Sequence, residues 1–155
     1  MLGHGIGPSV APLEEGALTR LQAENILSIY LEARNRPNLE LLDSIYHPEV
    51  VVHDCGEPED LRGLPALKGF YRANHEGLPD LHMEIGDWLY AGDRLVSRWT
   101  VTGTHLGELR GLPPTGRAMR VSGVAIDRVV ADRIVEEWVD YNLLAVLQQL
   151  GVAPG

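Results

Sequence analysis

Four long strand candidates follow one another in the second half of the chain, with little helix-like patterning between them. They cover residues 81–90, 94–105, 117–129 and 133–142. Only three residues separate the first two strands, and only three separate the last two, which is typical of β-hairpins. Long strands linked by hairpins usually form a strongly bent sheet, so this run predicts an antiparallel meander with a concave face.

Helical segments precede these strands, and one helix follows them. The predicted elements are helices at about residues 19–36, 38–46, 63–77 and 143–150, and a further strand at residues 49–54. Apolar residues at three- and four-residue spacings mark the first helix, which Pro37 ends. Helices followed by a run of strands predict an α+β domain. Three helices across the concave face of the bent sheet would enclose a pocket.

The length of 155 residues suits one domain. We place that domain at residues 18–151, between a flexible N-terminal arm rich in glycine and proline (residues 1–17) and a short C-terminal tail (residues 152–155). The single cysteine, Cys55, excludes an intrachain disulfide.

The charge and the distribution of apolar residues exclude several classes of partner. The formal net charge is −9, so nucleic acid is an unfavourable partner because its phosphates would be repelled. The first residues do not have the pattern of a signal peptide. No stretch approaches the ~18 apolar residues that span a membrane. The sequence therefore predicts a cytoplasmic protein with neither a nucleic-acid nor a membrane partner.

Several short motifs occur in a defined order along the chain. They are Pro79-Asp80-Leu81-His82, Gly92-Asp93-Arg94-Leu95-Val96, Gly103-Thr104-His105, Pro113-Pro114-Thr115-Gly116-Arg117, Ile134-Val135-Glu136-Glu137-Trp138 and Gln148-Gln149-Leu150-Gly151. Over residues 21–151 this ordered series resembles the SnoaL-like polyketide (ester) cyclase family, which has the nuclear-transport-factor-2-like fold.

The resemblance implies a fold and a type of reaction. The implied fold is a curved antiparallel or mixed sheet, wrapped with N-terminal helices into a cone-shaped α+β barrel around an apolar pocket. The implied assembly is a homodimer or homotetramer, and the implied chemistry uses no cofactor. The best-known members of the family close a ring by intramolecular aldol condensation in polyketide biosynthesis. The implied ligand is therefore a small, largely apolar, carbonyl-bearing molecule.

An aldol closure needs a base beside the reacting carbon and a donor for the enolate oxygen. In the family, the base is an aspartate between the last-strand tryptophan and the terminal Gln-Leu-Gly, and Asn142 occupies that position here. Asparagine is not a base at neutral pH, but it can donate a hydrogen bond to an oxyanion. Asp140 shares a strand face with Trp138 and Asn142, so we expect Asp140 to be the base and Asn142 the donor. The alternative for Asp140 is a carboxylate bonded to a backbone amide or an arginine at the strand end.

His105 is the third catalytic candidate. It stands in the Gly-Thr-His motif at the end of a strand, and a histidine there can transfer protons near neutral pH. The alternative is a hydrogen bond that holds the following loop, residues 107–114.

Five further residues are candidates for substrate binding. They are His53, Tyr71, Arg98, Trp99 and Trp138. Trp138 is the best candidate for an aromatic wall of the pocket. The alternatives are core packing for the rings and, for the arginine, an ion pair with a neighbour such as Glu136 or Asp127. No metal site is predicted, because the histidines lack the spacing of metal ligands.

Two other functions remain open. Asn142 in the position of the base is compatible with a non-catalytic protein that sequesters or escorts a small molecule. Relatives of this fold also open epoxides or take part in hydroxylation, in which case the pocket would activate water.

Overall fold

The computed structural model describes Gly5, Gly7 and residues 16–155. Its elements are α1 (Arg20–Asn35), a short 3-10 helix (Leu39–Ser44), β1 (Tyr46–Asp54), β2 (Leu61–Arg62), α2 (Leu64–Gly77), β3 (His82–Ala91), β4 (Arg94–Thr104), β5 (Ala118–Val130), β6 (Arg133–Tyr141) and α3 (Leu143–Gln149). The predicted arm at residues 1–17 lies almost entirely outside the described residues. The four long strands and both hairpins are confirmed, whereas the two-residue strand β2 was not predicted because so short a strand has no recognisable pattern.

The strands form one six-stranded curved sheet in the order β2-β1-β6-β5-β4-β3. Strands β3 to β6 are an antiparallel meander, as predicted. β1 instead pairs in parallel with β6, so the sheet is mixed. This pairing brings the end of β1 beside the end of β6, with Asp54 opposite Val139. The predicted α+β class with a curved sheet and helices is confirmed.

A β-bulge in β6 decides which of its residues face inward. Val129 of β5 pairs with Ile134, but the preceding residue, Arg128, pairs with Glu136. Val135 is therefore an extra residue in β6, and the alternation of side chains shifts by one after it. As a result Ile134 and Glu137 both face the concave side of the sheet.

The helices cover the concave face. α1 begins with a capping box, in which the Thr19 hydroxyl accepts from the Gln22 amide and the Gln22 side chain accepts from the Thr19 amide. Ala23, Ile26 and Leu27 are among the buried residues of α1. None of the helices within residues 16–155 is both long and apolar enough to cross a bilayer.

Candidate active site

A largely apolar cavity lies between the helices and the concave face of the sheet. Its wall includes aliphatic side chains from α1, α2, β4 and α3, such as Ile26, Leu67, Val101 and Val146. The cavity volume is ≈ 120 Å³. Since one water needs roughly 10–15 Å³, the cavity has room for a small organic molecule.

Two carboxyl groups, Asp127 of β5 and Glu137 of β6, lie side by side in the cavity wall. The two residues are direct cross-strand partners, and each is only 4% exposed. Burial, reinforced by repulsion from Glu137, raises the pKa of Asp127 well above its usual range. Burial also raises the pKa of Glu137, although the hydrogen bonds from Asp127 and Tyr46 oppose that shift. Because two ionised carboxylates are unfavourable together in an apolar site, the pair holds one proton near neutral pH, mainly on Asp127.

Three tyrosines line the same cavity as this carboxyl pair, and one of them bonds to it. The Tyr46 hydroxyl donates to Glu137 Oε2 at 2.9 Å. The Tyr30 and Tyr71 hydroxyls are 3.3 Å apart, and Arg34 Nη1 donates to the Tyr30 hydroxyl at 3.3 Å. Burial raises the pKa of all three phenols, so they are neutral donors at physiological pH. The deep end of the cavity therefore combines an acid, a base and several hydrogen-bond donors.

A second polar network lines the more exposed side of the cavity, which we call its opening. The Tyr141 hydroxyl donates to Asp54 Oδ1 and accepts from Arg110 Nη2, both at 2.8 Å. Arg110 Nη1 also donates to the Gly56 carbonyl at 2.7 Å and forms an ion pair with Glu57 at 3.0 Å. Arg110 belongs to the loop between β4 and β5 and has a left-handed φ of 51°. This network, which we call the latch, ties that loop to the segment after β1.

Two of the predicted substrate-binding residues, Trp99 and Tyr71, line the cavity. Trp99 is 8% exposed and packs edge-on against Tyr141, with ring centres 5.9 Å apart. Gly123 makes room for this indole, because a Cβ there would lie about 2.8 Å from Trp99 Cε2. Trp99, rather than Trp138, is therefore the tryptophan of the cavity wall.

The prediction that Asp140 and Trp138 lie in the pocket is wrong. They do share one strand face, but the bulge at Val135 turns that face to the convex side of the sheet, where Asp140 is exposed. Asn142 lies just after β6, and its side chain accepts from the Ala145 amide at 3.0 Å as the N-cap of α3. These positions leave Asp140 and Asn142 without contact to the cavity.

His105 has the alternative role predicted for it, that of holding a loop. It is fully buried but does not line the cavity. Its Nδ1 accepts from the Thr115 amide at 3.3 Å and lies 3.0 Å from the Thr115 hydroxyl. These bonds join the two ends of the loop that carries Arg110 and so close its base.

His53 and Arg98 also lie outside the cavity. His53 bonds Asp60 at 2.8 Å and Glu136 at 2.9 Å, and its ring stacks on Trp138 with ring centres 5.4 Å apart. The hydrogen bond to Glu136 is the main cause of the raised pKa of His53. Arg98 forms an ion pair with Asp87 at 2.7 Å. An ion pair with a neighbour was the alternative predicted for Arg98, but the partner is Asp87.

Asp127, Glu137 and Arg34 were missed as site residues. Asp127 carried a usable signal: it is the one charged residue in the alternating series Met119, Val121, Gly123, Ala125, Asp127, Val129 of β5. Glu137 carried none, because its inward position depends on the bulge. Among residues 16–155 no group of three His, Cys, Asp or Glu side chains is arranged to hold a metal ion.

Comparisons with known proteins agree on one family. The family model for SnoaL-like polyketide cyclase matches residues 24–150. TsrD from Streptomyces laurentii is similar in structure, with a TM-score of 0.80 and 27% identity over 87% of this chain and 98% of TsrD. None of the curated proteins matches the chain.

Two further solved structures are those of candidate enzymes. IdmH from Streptomyces antibioticus, a candidate polyketide cyclase, is 30% identical with a TM-score of 0.73, covering 84% of this chain and 99% of IdmH. AclR from Streptomyces galilaeus, a candidate hydroxylase, is 26% identical with a TM-score of 0.77, covering 88% of this chain and 89% of AclR.

Proposed function

This chain belongs to the SnoaL-like polyketide cyclase family, and we propose that it closes a ring in a small, largely apolar, carbonyl-bearing molecule by cofactor-independent acid–base catalysis. The observation that carries the proposal is the buried pair of Asp127 and Glu137 in the wall of an apolar cavity. A carboxyl pair that shares one proton supplies both a base and an acid at the same place.

The reaction can be written with these two residues alone. Ionised Glu137 takes a proton from the carbon between two carbonyl groups, and the resulting enolate carbon attacks a ketone elsewhere in the same molecule. Asp127 gives its proton to the alkoxide that this new carbon–carbon bond creates. Glu137 then passes its proton to Asp127, which restores the starting state, and the product is an isomer of the substrate.

The surroundings support this division of roles. Tyr46 donates a hydrogen bond to Glu137, which favours its ionised form. Asp127 Oδ1 is buried and accepts no hydrogen bond from a donor within the described residues, so its capacity to accept one remains for a ligand. Because the apolar cavity excludes water, it strengthens both the Tyr46–Glu137 hydrogen bond and a hydrogen bond between a ligand and Asp127.

Two alternatives make different predictions. A binding protein of the same fold would hold the molecule unchanged. An enzyme that opens epoxides or takes part in hydroxylation would use the same pair to activate water, and the structural relative AclR is a candidate hydroxylase.

The test is to incubate the protein in ¹⁸O-labelled water with a β-keto ester that carries a ketone positioned to form a six-membered ring. Ring closure gives a product of unchanged mass, with no more ¹⁸O than the enzyme-free control. Incorporation of ¹⁸O above that control would contradict ring closure and support water activation. Tight binding without any product after prolonged incubation would contradict catalysis altogether.

A further inference from the structure

Arg34 places a cation in the deep end of the cavity. It lies on the last turn of α1, lines the cavity and is only 5% exposed. Its guanidinium carbon is 3.8 Å from the centre of the Tyr71 ring, so the group lies over that aromatic face. His75 Nε2, 2.6 Å from the Arg34 carbonyl oxygen, ties the same turn of α1 to α2. The guanidinium is therefore held in place by its neighbours.

The protein leaves most of the donors of this guanidinium unused. A guanidinium has about five N–H donors. Within residues 16–155, its side-chain hydrogen bond goes from Nη1 to Tyr30 at 3.3 Å, and the buried Nε has no partner. No carboxylate of the described residues lies within ion-pairing distance, 4.0 Å, of Arg34. A buried charge without hydrogen-bond partners is unfavourable. A ligand that brings a hydrogen-bond acceptor would therefore satisfy the unused donors of Arg34.

The charge of the cavity indicates which acceptor fits. Arg34 contributes one positive charge, and the singly protonated Asp127–Glu137 pair contributes one negative charge. A ligand that enters as a carboxylate would leave the deep end with a net negative charge. A neutral dicarbonyl leaves the charge of the deep end balanced. When Glu137 takes a proton from such a ligand, the negative charge moves onto the ligand's oxygens, for which Arg34 is a cation in the same cavity wall.

We propose that Arg34 is the enolate-binding residue of this cavity and that the substrate is a neutral β-dicarbonyl compound, whose two oxygens meet the N–H edge of the guanidinium. The substrate class rests on the proposed function, because an enolate is the species that the ring closure requires. The geometry suits the class: a β-dicarbonyl enolate is planar and presents two oxygens on one side, which matches the planar fork of arginine. The Tyr71 ring beneath the guanidinium helps to fix the position of that fork.

The test uses 1-phenyl-1,3-butanedione, a β-diketone whose enolate has its own ultraviolet absorbance. Wild-type protein should bind it and increase the enolate band at a pH where the free compound is mostly un-ionised. Arg34→Met, which keeps the length of the side chain and removes its charge, should weaken enolate binding roughly 10–100-fold. Arg34→Lys keeps the charge but loses the fork and should give an intermediate loss. Arg36→Met, on an exposed arginine at the end of the same helix, is the matched control and should behave as wild type.

Three outcomes would overturn the inference. They are no enolate band with wild-type protein, an unchanged band with a folded Arg34→Met variant, and tighter Arg34-dependent binding of benzoate than of the diketone. Thermal unfolding of each variant shows whether it is folded. If Arg34→Met does not fold, the enolate band measured with Arg34→Lys tests the inference instead. An Arg34-dependent enolate band without ring closure would leave the inference standing and contradict the proposed function. Ring closure that is unchanged in the Arg34 variants would contradict the inference and leave the proposed function standing.

Discussion

Asp127 and Glu137 are chemically similar residues in unequal surroundings. Glu137 accepts a hydrogen bond from Tyr46, whereas Asp127 Oδ1 accepts none from the described residues. The proton of the pair therefore resides mainly on Asp127, and Glu137 is the ionised member that is available as the base. This difference between adjacent carboxyl groups allows one pair to act as both acid and base.

The proton on Asp127 should make the stability of the protein depend on pH. Because burial raises its pKa above the ordinary value of 3.8, the folded state holds a proton that the unfolded state releases. Stability from this proton is fully present below the ordinary pKa and is lost as the pH rises toward the folded-state pKa. The free energy of unfolding of wild type, relative to Asp127→Asn, should therefore fall with rising pH by up to about 1.4 kcal/mol per pH unit.

Urea unfolding at several pH values between about 5 and about 8 measures this difference. Asp140→Asn removes an exposed carboxylate instead and should follow the wild-type curve. If the free energies of unfolding of wild type and Asp127→Asn differ by a constant amount over that range, Asp127 is not protonated in the folded protein.

Single residues were predictable where the backbone is regular. Trp99 follows the strict alternation of β4, and its predicted place in the pocket agrees with the cavity wall. Asp140 and Trp138 were assigned to the wrong side, because the alternation of β6 shifts at Val135. A one-residue bulge leaves no clear mark in a sequence, yet it moves every later side chain to the opposite face.

The loop between β4 and β5 is held at both ends by side chains. His105 and Thr115 close its base, and the latch of Arg110, Tyr141 and Gly56 ties it across the cavity opening. A Cβ on Gly56 would overlap the Tyr141 hydroxyl and lie 2.8 Å from Arg110 Nη2, so the latch depends on a glycine there. The sequence indicated a loop after His105, but not which side chain fastens that loop across the cavity opening.

Arg110→Ala should release this loop and speed the exchange of ligand. We expect association and dissociation of 1-phenyl-1,3-butanedione to be about 10-fold faster, since the loss of charged hydrogen bonds weakens closure by roughly 1–2 kcal/mol. Gly56→Ala should act in the same direction by displacing Tyr141 and Arg110. Stopped-flow mixing measures both rates, with Arg62→Ala, an exposed arginine paired with Asp60, as the control. Rates equal to those of wild type in both variants would show that the latch does not limit access.

The molecule as a whole was predictable to the level of its fold class and the order of its strands along the chain. The parallel pairing of β1 with β6 was not predictable, since it joins strands about 80 residues apart whose local patterns contain no information on pairing. That pairing brings Asp54 close to Tyr141 and so builds the cavity opening. The expected homodimer or homotetramer stays a prediction, which analytical ultracentrifugation of the wild-type protein would decide.

The sheet separates two sets of acidic residues, and catalysis should depend on the inner set. Asp127 and Glu137 lie on the concave side, whereas Asp140 is exposed on the convex side. Deuterium exchange at the acidic carbon of a β-keto ester in D₂O, followed by NMR, compares them directly. We predict that Glu137→Gln slows this exchange about 10²–10⁴-fold and that Asp140→Asn keeps the wild-type rate. Loss of exchange in Asp140→Asn with full exchange in Glu137→Gln would contradict the account and move the base to the other face of the sheet.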